Sequence, residues 1–355
     1  MTDTLRFLVR RLAAGLLTVL AMITITFVIF WATPTQPARF VYPNVVTLTA
    51  WHIQHGDHIL GIDRPKSDQY LDYVKHLFRW DFGESWARGF GLPGQPAASH
   101  GFPITQQLDA QLRVTLSLLL GGATVVLLLS VPLGAFAGSR VGTISDRTVS
   151  LVALIGVCSH PMVLSILIRS LFHGRLHWTP PGGYCPLSGG QPGCSGFADW
   201  ASHLALPWLT FALLFLALYT RMIRASVAQT IHEDFVRTAR AKGASQMRVI
   251  GRHVLPSAGL RVLTMVGMEI GTAIGVCVYI ESAFNDNGLG SLAVNTLGGG
   301  AGALNLPFVL AVIVLVTLIV IVGNLIVDML YVFLDPRVGL QRGQQRTKSL
   351  VGGVF

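Results

Sequence analysis

Six long apolar segments constrain the fold of this chain more than any other feature of its sequence. Each is long enough to cross a bilayer as an α-helix, which takes about 20 residues. Hydrophobic residues make up 52% of the chain and charged residues only 12%, a composition typical of membrane proteins rather than soluble domains. We therefore predict an all-α polytopic membrane protein with six transmembrane helices, at residues 12–32, 112–138, 148–172, 204–222, 263–284 and 307–334.

The distribution of Lys and Arg predicts the orientation of these helices, because cytoplasmic loops of membrane proteins are enriched in both. Basic residues are dense before the first span and between the fourth and fifth spans, and sparse in the long loops of the other side. We expect both termini in the cytoplasm and read the net charge of +9 as a signal of orientation. A nucleic-acid partner is not indicated, since the charge is not gathered on a soluble domain.

The spans divide the chain into four parts. Residues 1–32 form a cytoplasmic N-terminus and the first span, and residues 33–111 form an extracytoplasmic region. Acidic and basic residues nearly balance in that region, so we expect it to cap the outer mouth or dock a partner. Residues 112–340 form the core with five spans, and residues 341–355 form a cytoplasmic tail.

One basic polar element, residues 234–256, interrupts the apolar core and predicts a hairpin of two short helices. Asp234 is expected to accept hydrogen bonds from the free N–H groups of the first turn, and Gly243 to end that helix in the left-handed conformation. A second helix is expected to start at Ser245. Pro256 is expected to mark a change of chain direction, because proline lacks a backbone donor.

The first helix of this hairpin is amphipathic. Its apolar stripe consists of Phe235, Val236 and Ala239, and its cations point elsewhere. Two interpretations stay open: the helix docks on another protein, or it rests on anionic lipid at the membrane surface.

Ionisable and polar residues inside the spans are candidates for a translocation pathway, because they are costly in lipid and usually face a cavity or a partner. They are Glu269, Glu281, Asn324 and Asp328. An ion-coupled secondary transporter would use such carboxylates as a proton relay. A structural pairing role is favoured for Asp328 and Glu281, whereas Glu269 stays open between the two. Arg169, near the outer end of the third span, is expected to reach toward water.

Two cysteines, Cys185 and Cys194, lie in an outer loop rich in Gly and Pro. That compartment permits disulfides, and the loop between the two residues is short enough to close, so a disulfide is favoured over two free thiols. The loop offers too few further ligands for a metal site.

The sequence does not indicate catalysis. It has no Gly-x-x-x-x-Gly-Lys-Ser/Thr loop to cradle nucleotide phosphates and no His-Glu-x-x-His pattern. His160 and Pro161 are expected to mark a helix kink within the third span. We expect no catalytic residue, and an energy source in a separate ATPase or an ion gradient.

Short segments spread over nearly the full length carry a family resemblance. Among them are L-R-F-L-V-R-R-L at 5–12, L-G-I-D-R-P at 60–65, Q-Y-L at 69–71, W-D-F-G-E-S at 80–85, P-I-T-Q-Q-L at 103–108, F-V-R-T-A-R-A-K-G at 235–243, E-S-A-F at 281–284, G-L-G at 288–290 and N-L-I-V-D-M-L-Y-V-F-L-D-P-R at 324–337. Together they resemble the B-type permease subunit of the dipeptide/oligopeptide/nickel branch of ATP-binding-cassette importers. The last segment is highly specific to that branch.

The resemblance implies a multi-pass subunit of the bacterial plasma (inner) membrane that has no cofactor of its own. Its expected partners are a second homologous permease, an extracytoplasmic substrate-binding protein and cytoplasmic ATPase subunits that bind ATP and Mg. Peptide is the expected cargo, with nickel or another small solute as the alternative. Arg237 and Thr238 stand where the general importer motif has Glu and Ala. The residues expected to contact the ATPase are Asp234, Phe235, Val236, Arg237, Thr238, Ala239, Arg240, Ala241, Lys242 and Gly243.

Overall fold

A computed structural model gives the fold of residues 2–32, 37–42, 45, 47–85, 102–144, 146–148, 151, 159–180, 182–187, 194, 196–297 and 305–334. The region 33–111, for which an outer location stays a prediction, contains α2 (Ala38–Val41), α3 (Ala50–Ile59), α4 (Lys66–Phe78), β1 (Glu84–Ser85) and β2 (Phe102–Pro103). The long helices are α1 (Thr2–Ala32), α5 (Ile104–Ser139), α7 (Phe197–Thr230), α10 (Leu255–Phe284) and α12 (Leu306–Leu334). The shorter ones are α6 (Pro161–Arg169), α8 (Asp234–Ala241), α9 (Gln246–Val249) and α11 (Leu289–Leu297), with π-helical turns at Ser170–Arg175 and Ile250–Val254.

Five helices of the described part are long and apolar enough to cross a membrane. They are α1, α5, α7, α10 and α12, which confirms five of the predicted spans. The third predicted span, 148–172, falls partly outside the described residues. The predicted tail, 341–355, and residues 86–101 lie entirely outside them. The sidedness of the termini stays a prediction.

The structure does not show the predicted kink at His160-Pro161, because a helix, α6, begins at Pro161. His160 has an extended backbone, and its ring Nδ1 accepts a hydrogen bond from the Met162 N–H at 3.3 Å. Pro161 is the first residue of α6, a position where its missing N–H costs nothing and its fixed φ suits a helix. Proline therefore starts a helix here instead of bending one.

The chain divides into two compact units. The first unit comprises residues 1–117, 182–184 and 284–319. Its hydrophobic cluster joins Phe27 of α1 to Leu306 and Leu310 of α12, and tyrosines of α4 pack against it. The Thr24 hydroxyl lies 2.7 Å from that of Tyr70. Aromatic packing thus holds the outer region on these two spans.

α4 follows a turn at residues 62–65. This turn is held by the Gln69 side chain, whose amide donates to the backbone carbonyls of Ile62 and Arg64 at 2.9 and 2.8 Å. After α4, β1 and β2 pair antiparallel, with Glu84 opposite Pro103. The Asn305 amide donates to the Ser85 hydroxyl at 2.8 Å, which ties this ribbon to the start of α12.

The second unit comprises residues 118–181, 185–283 and 320–355, and glycines bring α5 and α7 close together. A Cβ added to Gly134 would lie 2.7 Å from the Ile223 Cβ, and one added to Gly138 would lie 2.7 Å from the Arg224 carbonyl oxygen. Small residues four apart let membrane helices approach with their backbones nearly in contact. The C-terminal halves of α5 and α7 are therefore tightly packed.

Candidate functional site

The polar hairpin between α7 and α10 forms as the sequence predicts at its central turn. Gly243 has a φ of +81°, the left-handed conformation that glycine adopts without strain. Its N–H donates to the Arg240 carbonyl at 2.9 Å, and the Ala244 N–H donates to the Ala239 carbonyl at 3.2 Å. This pair of bonds satisfies two carbonyls at the end of α8 and fixes the angle at which the chain leaves it.

The predicted cap at Asp234 is wrong. Glu233 is the residue with the extended backbone that precedes α8, and Asp234 is the first residue of the helix. The Asp234 side chain points to solvent, and its carboxylate lies 3.8 Å from the Arg237 guanidinium. A residue with helical dihedrals cannot turn its side chain back onto the first free N–H groups in the way a capping residue does.

The predicted change of direction at Pro256 is also wrong. A second helix begins after Ser245, as expected, but helical backbone then continues through Pro256 into α10. The π-helical turn just before it shifts the bonding by one residue, so that the Leu255 N–H donates to the Ile250 carbonyl. Widening the helix at this point accommodates a residue that has no N–H to give.

The inner face of the hairpin is buried in a hydrophobic cluster, which we call the inner cluster. Val236 of α8 is fully buried in it, and Ala239 packs against it from one turn further on. The other buried members come from α7, α9 and the π-helical turn: Ile223, Val227, Ile231, Val249 and Val254. The hairpin is thus packed on the protein's own helices.

The outer face of the hairpin carries the remaining apolar side chains. Phe235 is 46% exposed and Met247 is 84% exposed, so the predicted stripe of Phe235, Val236 and Ala239 is divided between two faces. Successive helical residues point about 100° apart, which separates Phe235 from Val236. The exposed cations around them are Arg237, Arg240, Lys242, Arg248 and Arg252.

A part-buried ion pair beside the inner cluster was not predicted from the sequence. Asp146, in a helical turn of the connection that follows α5, is only 3% exposed. Arg224 of α7 donates to it twice, from Nε to Oδ1 and from Nη2 to Oδ2, the second at 2.7 Å. The Gly142 N–H donates to Oδ2 at 3.0 Å. The one available signal was an acidic residue within a basic loop.

The ionisation of Asp146 follows from these bonds. The hydrogen bonds from Arg224 lower the pKa of its carboxyl to about 2, although burial alone would raise it. A carboxyl whose pKa is lower in the folded chain stabilises the fold at any pH above its unfolded pKa and loses that effect as the pH falls toward the folded value. The pair is therefore ionised throughout the physiological range.

The structure places the candidate pathway residues on two helices. Glu281, in the last turn of α10, is fully buried, and Glu269 is half-buried about three turns earlier. Asn324 and Asp328 are half-buried on α12, and Asn324 lies at the point where Gly267 of α10 approaches that helix. The described residues contain no group of three His, Cys, Asp or Glu side chains placed to hold a metal. The pathway role stays a prediction.

Arg169 and the two loop cysteines each make one decisive contact. Arg169 does not extend to water as expected, because its Nη1 donates to the Ala283 carbonyl in the last turn of α10. A cation at that position donates to a carbonyl that has no partner within the helix, and the negative end of the helix dipole stabilises its charge.

Cys185 and Cys194 are joined by a disulfide, as the sequence favoured.

A cavity of about 390 Å³ opens in the first unit beside α4. Its floor is apolar, with Phe27, Tyr73 and Leu310, and its rim carries Asp72 and Glu84. This concave surface fits the docking role that the sequence left open for the outer region.

Comparisons with known sequences cover nearly the whole chain. The profile of the family described as "Binding-protein-dependent transport system inner membrane component" matches residues 130–340, and that of the N-terminal part of such components matches residues 4–118. A putative peptide permease protein of Brucella ovis is 30% identical, and the match covers 94% of this chain and 99% of the length of that protein. The di/tripeptide transport system permease protein DppB of Pseudomonas aeruginosa is 30% identical over 95% and 100%.

A further relative and a solved structure also match this chain. The oligopeptide transport system permease protein AppB of Bacillus subtilis is 29% identical over 94% of this chain and 98% of its own. Among solved structures, an inward-facing conformation of the MetNI methionine ABC transporter matches with a TM-score of 0.51 and 18% identity, over 65% of this chain and 98% of that one. At that identity the match supports the fold alone.

Proposed function

Because the chain belongs to the family of binding-protein-dependent transport system inner membrane components, we propose that it pairs with a second permease to form a pathway for di- or oligopeptides. An external binding protein delivers the peptide, and cytoplasmic ATPase subunits drive its passage. The chain itself is a multi-pass protein of the inner membrane and a permease of the ATP-driven importer type.

The two-sided packing of the hairpin is the observation that carries this proposal. A helix that merely rests on lipid needs no attachment beyond its own apolar face. Here Val236, on the apolar face of α8, is buried in the inner cluster. Phe235 and Met247 are exposed on the opposite face, among cations. Exposed aromatic and methionine side chains bordered by arginines are typical of protein interfaces.

The inner cluster provides a mechanical route from the ATPase to the membrane. Val236 is buried against residues of α7 and against the chain that leads into α10. A closely packed core resists compression, so a displacement of α8 is passed to both helices rather than absorbed. Closure of the ATPase subunits on the hairpin would therefore switch the spans between two arrangements.

The exposed face also defines the chemistry of the ATPase surface. Phe235 requires an apolar recess, because its ring is half out of the protein. Arg237 and Arg240 require carboxylates around it, and arginine suits such contacts because it binds a carboxylate through two parallel hydrogen bonds. An acidic-rimmed apolar groove is thus the expected partner.

The proposal of peptide as cargo rests on the relatives. Those at about 30% identity over nearly the full chain are a peptide permease, a di/tripeptide permease and an oligopeptide permease. Nickel or another small solute remains the alternative cargo within the same importer class.

The docking of the hairpin is tested by introducing a charge on its exposed face. Phe235→Asp is expected to prevent co-purification of the ATPase and to abolish its stimulation, because a carboxylate replaces the ring in an apolar recess. Phe78→Asp is the matched control, since Phe78 is 71% exposed in the outer region. ATPase bound to detergent-solubilised chain, together with ATP hydrolysis, gives the measurement. Normal association of the Phe235→Asp chain would show that the hairpin only rests on lipid.

A further inference from the structure

The ion pair between Asp146 and Arg224 lies where three parts of the second unit meet. Asp146 belongs to a helical turn of the connection that follows α5, and Arg224 is one turn before Val227 of the inner cluster. The backbone of α5 also reaches this point, since a Cβ on Gly138 would lie 2.8 Å from the Val227 Cβ. One stretch of α7 thus contacts α5, the loop after it and the hairpin.

We propose that the Asp146–Arg224 pair carries the movement of the hairpin into the connection that follows α5, and that these two residues position this connection for coupling. We call this connection the loop, and its described residues here are 140–144 and 146–147. This inference rests on the proposed function, in which the hairpin docks on an ATPase. It adds a second route to the one through the inner cluster, because the loop leads from α5 toward the next predicted span.

The bonding of the pair suits it to transmit force. A guanidinium that donates two parallel hydrogen bonds to one carboxylate fixes the orientation of both groups as well as their distance. The Gly142 N–H adds a third bond to the same carboxylate, so the turn of the loop is tied to Arg224 through Asp146. Gly142 itself has a φ of +86°, which allows this turn to close.

Burial makes the link stiff as well as oriented. Separating a buried carboxylate from its cation leaves an uncompensated charge, which is strongly unfavourable. A shift of α7 therefore takes the loop with it. Arg261 of α10 likewise donates to the Gln229 side chain of α7, so the inner ends of α7 and α10 are also bonded.

A purely structural role is the competing interpretation, and an exposed pair provides the comparison. Asp109 and Arg113 lie one turn apart on α5, with Nη2 and Oδ2 at 2.7 Å, and both are exposed to solvent. Exposed pairs of this kind contribute little to stability or rigidity. Asp109→Asn removes the same charge without touching the loop or the hairpin.

The test follows two single-cysteine reporters in the complex of the full chain with its ATPase. Val141→Cys, an exposed position in the loop, reports the loop. Ser245→Cys, an exposed position of the hairpin that is not among the docking residues, reports the hairpin. Labelling by a membrane-impermeant maleimide is compared with and without ATP and vanadate. We expect nucleotide to change the labelling rate of Val141→Cys several-fold. Asp146→Asn and Arg224→Lys should each abolish this change, and Asp109→Asn should not. Asp146→Glu, which keeps the carboxylate, should restore part of it.

Two failures are distinguishable in this design. If the ATPase fails to shield Ser245→Cys from the maleimide, the proposed function is wrong and the inference falls with it. If Ser245→Cys is shielded but nucleotide does not change the labelling of Val141→Cys, or changes it equally in Asp146→Asn and Arg224→Lys, the inference alone is overturned. Arg224→Lys keeps the charge next to Asp146, so a loss of response in that variant reports the loss of the two-bond geometry and not an unpaired carboxylate.

Discussion

Two adjacent residues of the hairpin, Val236 and Phe235, have opposite surroundings. Val236 is enclosed by side chains of α7, α9 and the π-helical turn, whereas the Phe235 ring is half exposed. At the residue scale this difference separates stability from coupling. The buried side chain holds the hairpin on the protein, and the exposed one is available to a partner.

Truncation of each residue is expected to affect a different measurement. Val236→Ala removes two buried methyl groups and should lower the free energy of unfolding by about 1–3 kcal/mol. Phe235→Ala should change stability by less than about 0.5 kcal/mol, as exposed substitutions usually do, while weakening ATPase stimulation. Thermal unfolding in detergent and ATP hydrolysis by the assembled complex are the two measurements. Equal destabilisation by both variants would contradict the assigned burial.

At the scale of elements, the hairpin depends on two backbone devices. The left-handed Gly243 sets the angle between α8 and the chain that follows, and the π-helical turn lets helical backbone pass through Pro256. Both features set the direction of the chain. At Gly243 no close contact requires a glycine, since a Cβ added there would meet no atom within 4 Å. The turn needs glycine for its dihedral angles alone.

An alanine at Gly243 should therefore be costly although there is room for it. A residue with a Cβ loses roughly 1–2 kcal/mol in the left-handed conformation, so Gly243→Ala should shift the turn and uncouple ATP hydrolysis from transport. Gly251→Ala is the matched control, because Gly251 also has open space around it but lies in the helical turn. The ratio of ATP hydrolysed to peptide taken up measures the coupling. An unchanged ratio in Gly243→Ala would mean that the angle of the turn is unimportant.

At the scale of the whole molecule, the energy source distinguishes an ATP-driven importer from an ion-coupled transporter. The chain has no phosphate-binding loop of its own, so the proposed importer requires ATP on the side of the hairpin. The alternative would instead use carboxylates such as Glu269 as a proton relay.

Vesicle uptake is expected to follow ATP and not the proton gradient. In vesicles that contain the two permeases and the ATPase, with binding protein outside, uptake of labelled trialanine should require internal ATP. It should persist when an ionophore collapses the pH gradient, because no proton movement drives the step. Uptake by this chain alone, driven by a pH gradient, would establish the ion-coupled mechanism instead.

The sequence by itself determined the features that depend on neighbouring residues. Five spans follow from the length of apolar segments, and the turn at Gly243 from the stereochemistry of glycine. The disulfide partners follow from one short loop. The family also follows from local segments, since short motifs survive at about 30% identity. Each of these features is local in the chain.

Only the tertiary structure decided which side chains meet. Asp146 and Arg224 are 78 residues apart in sequence, and Arg169 bonds to a carbonyl 114 residues away. The burial of Val236 beside an exposed Phe235 likewise depends on α7, which no periodicity within α8 reveals. The physical reason is that periodicity predicts that a helix has a buried face, whereas the identity and charge of what covers that face depend on distant parts of the chain.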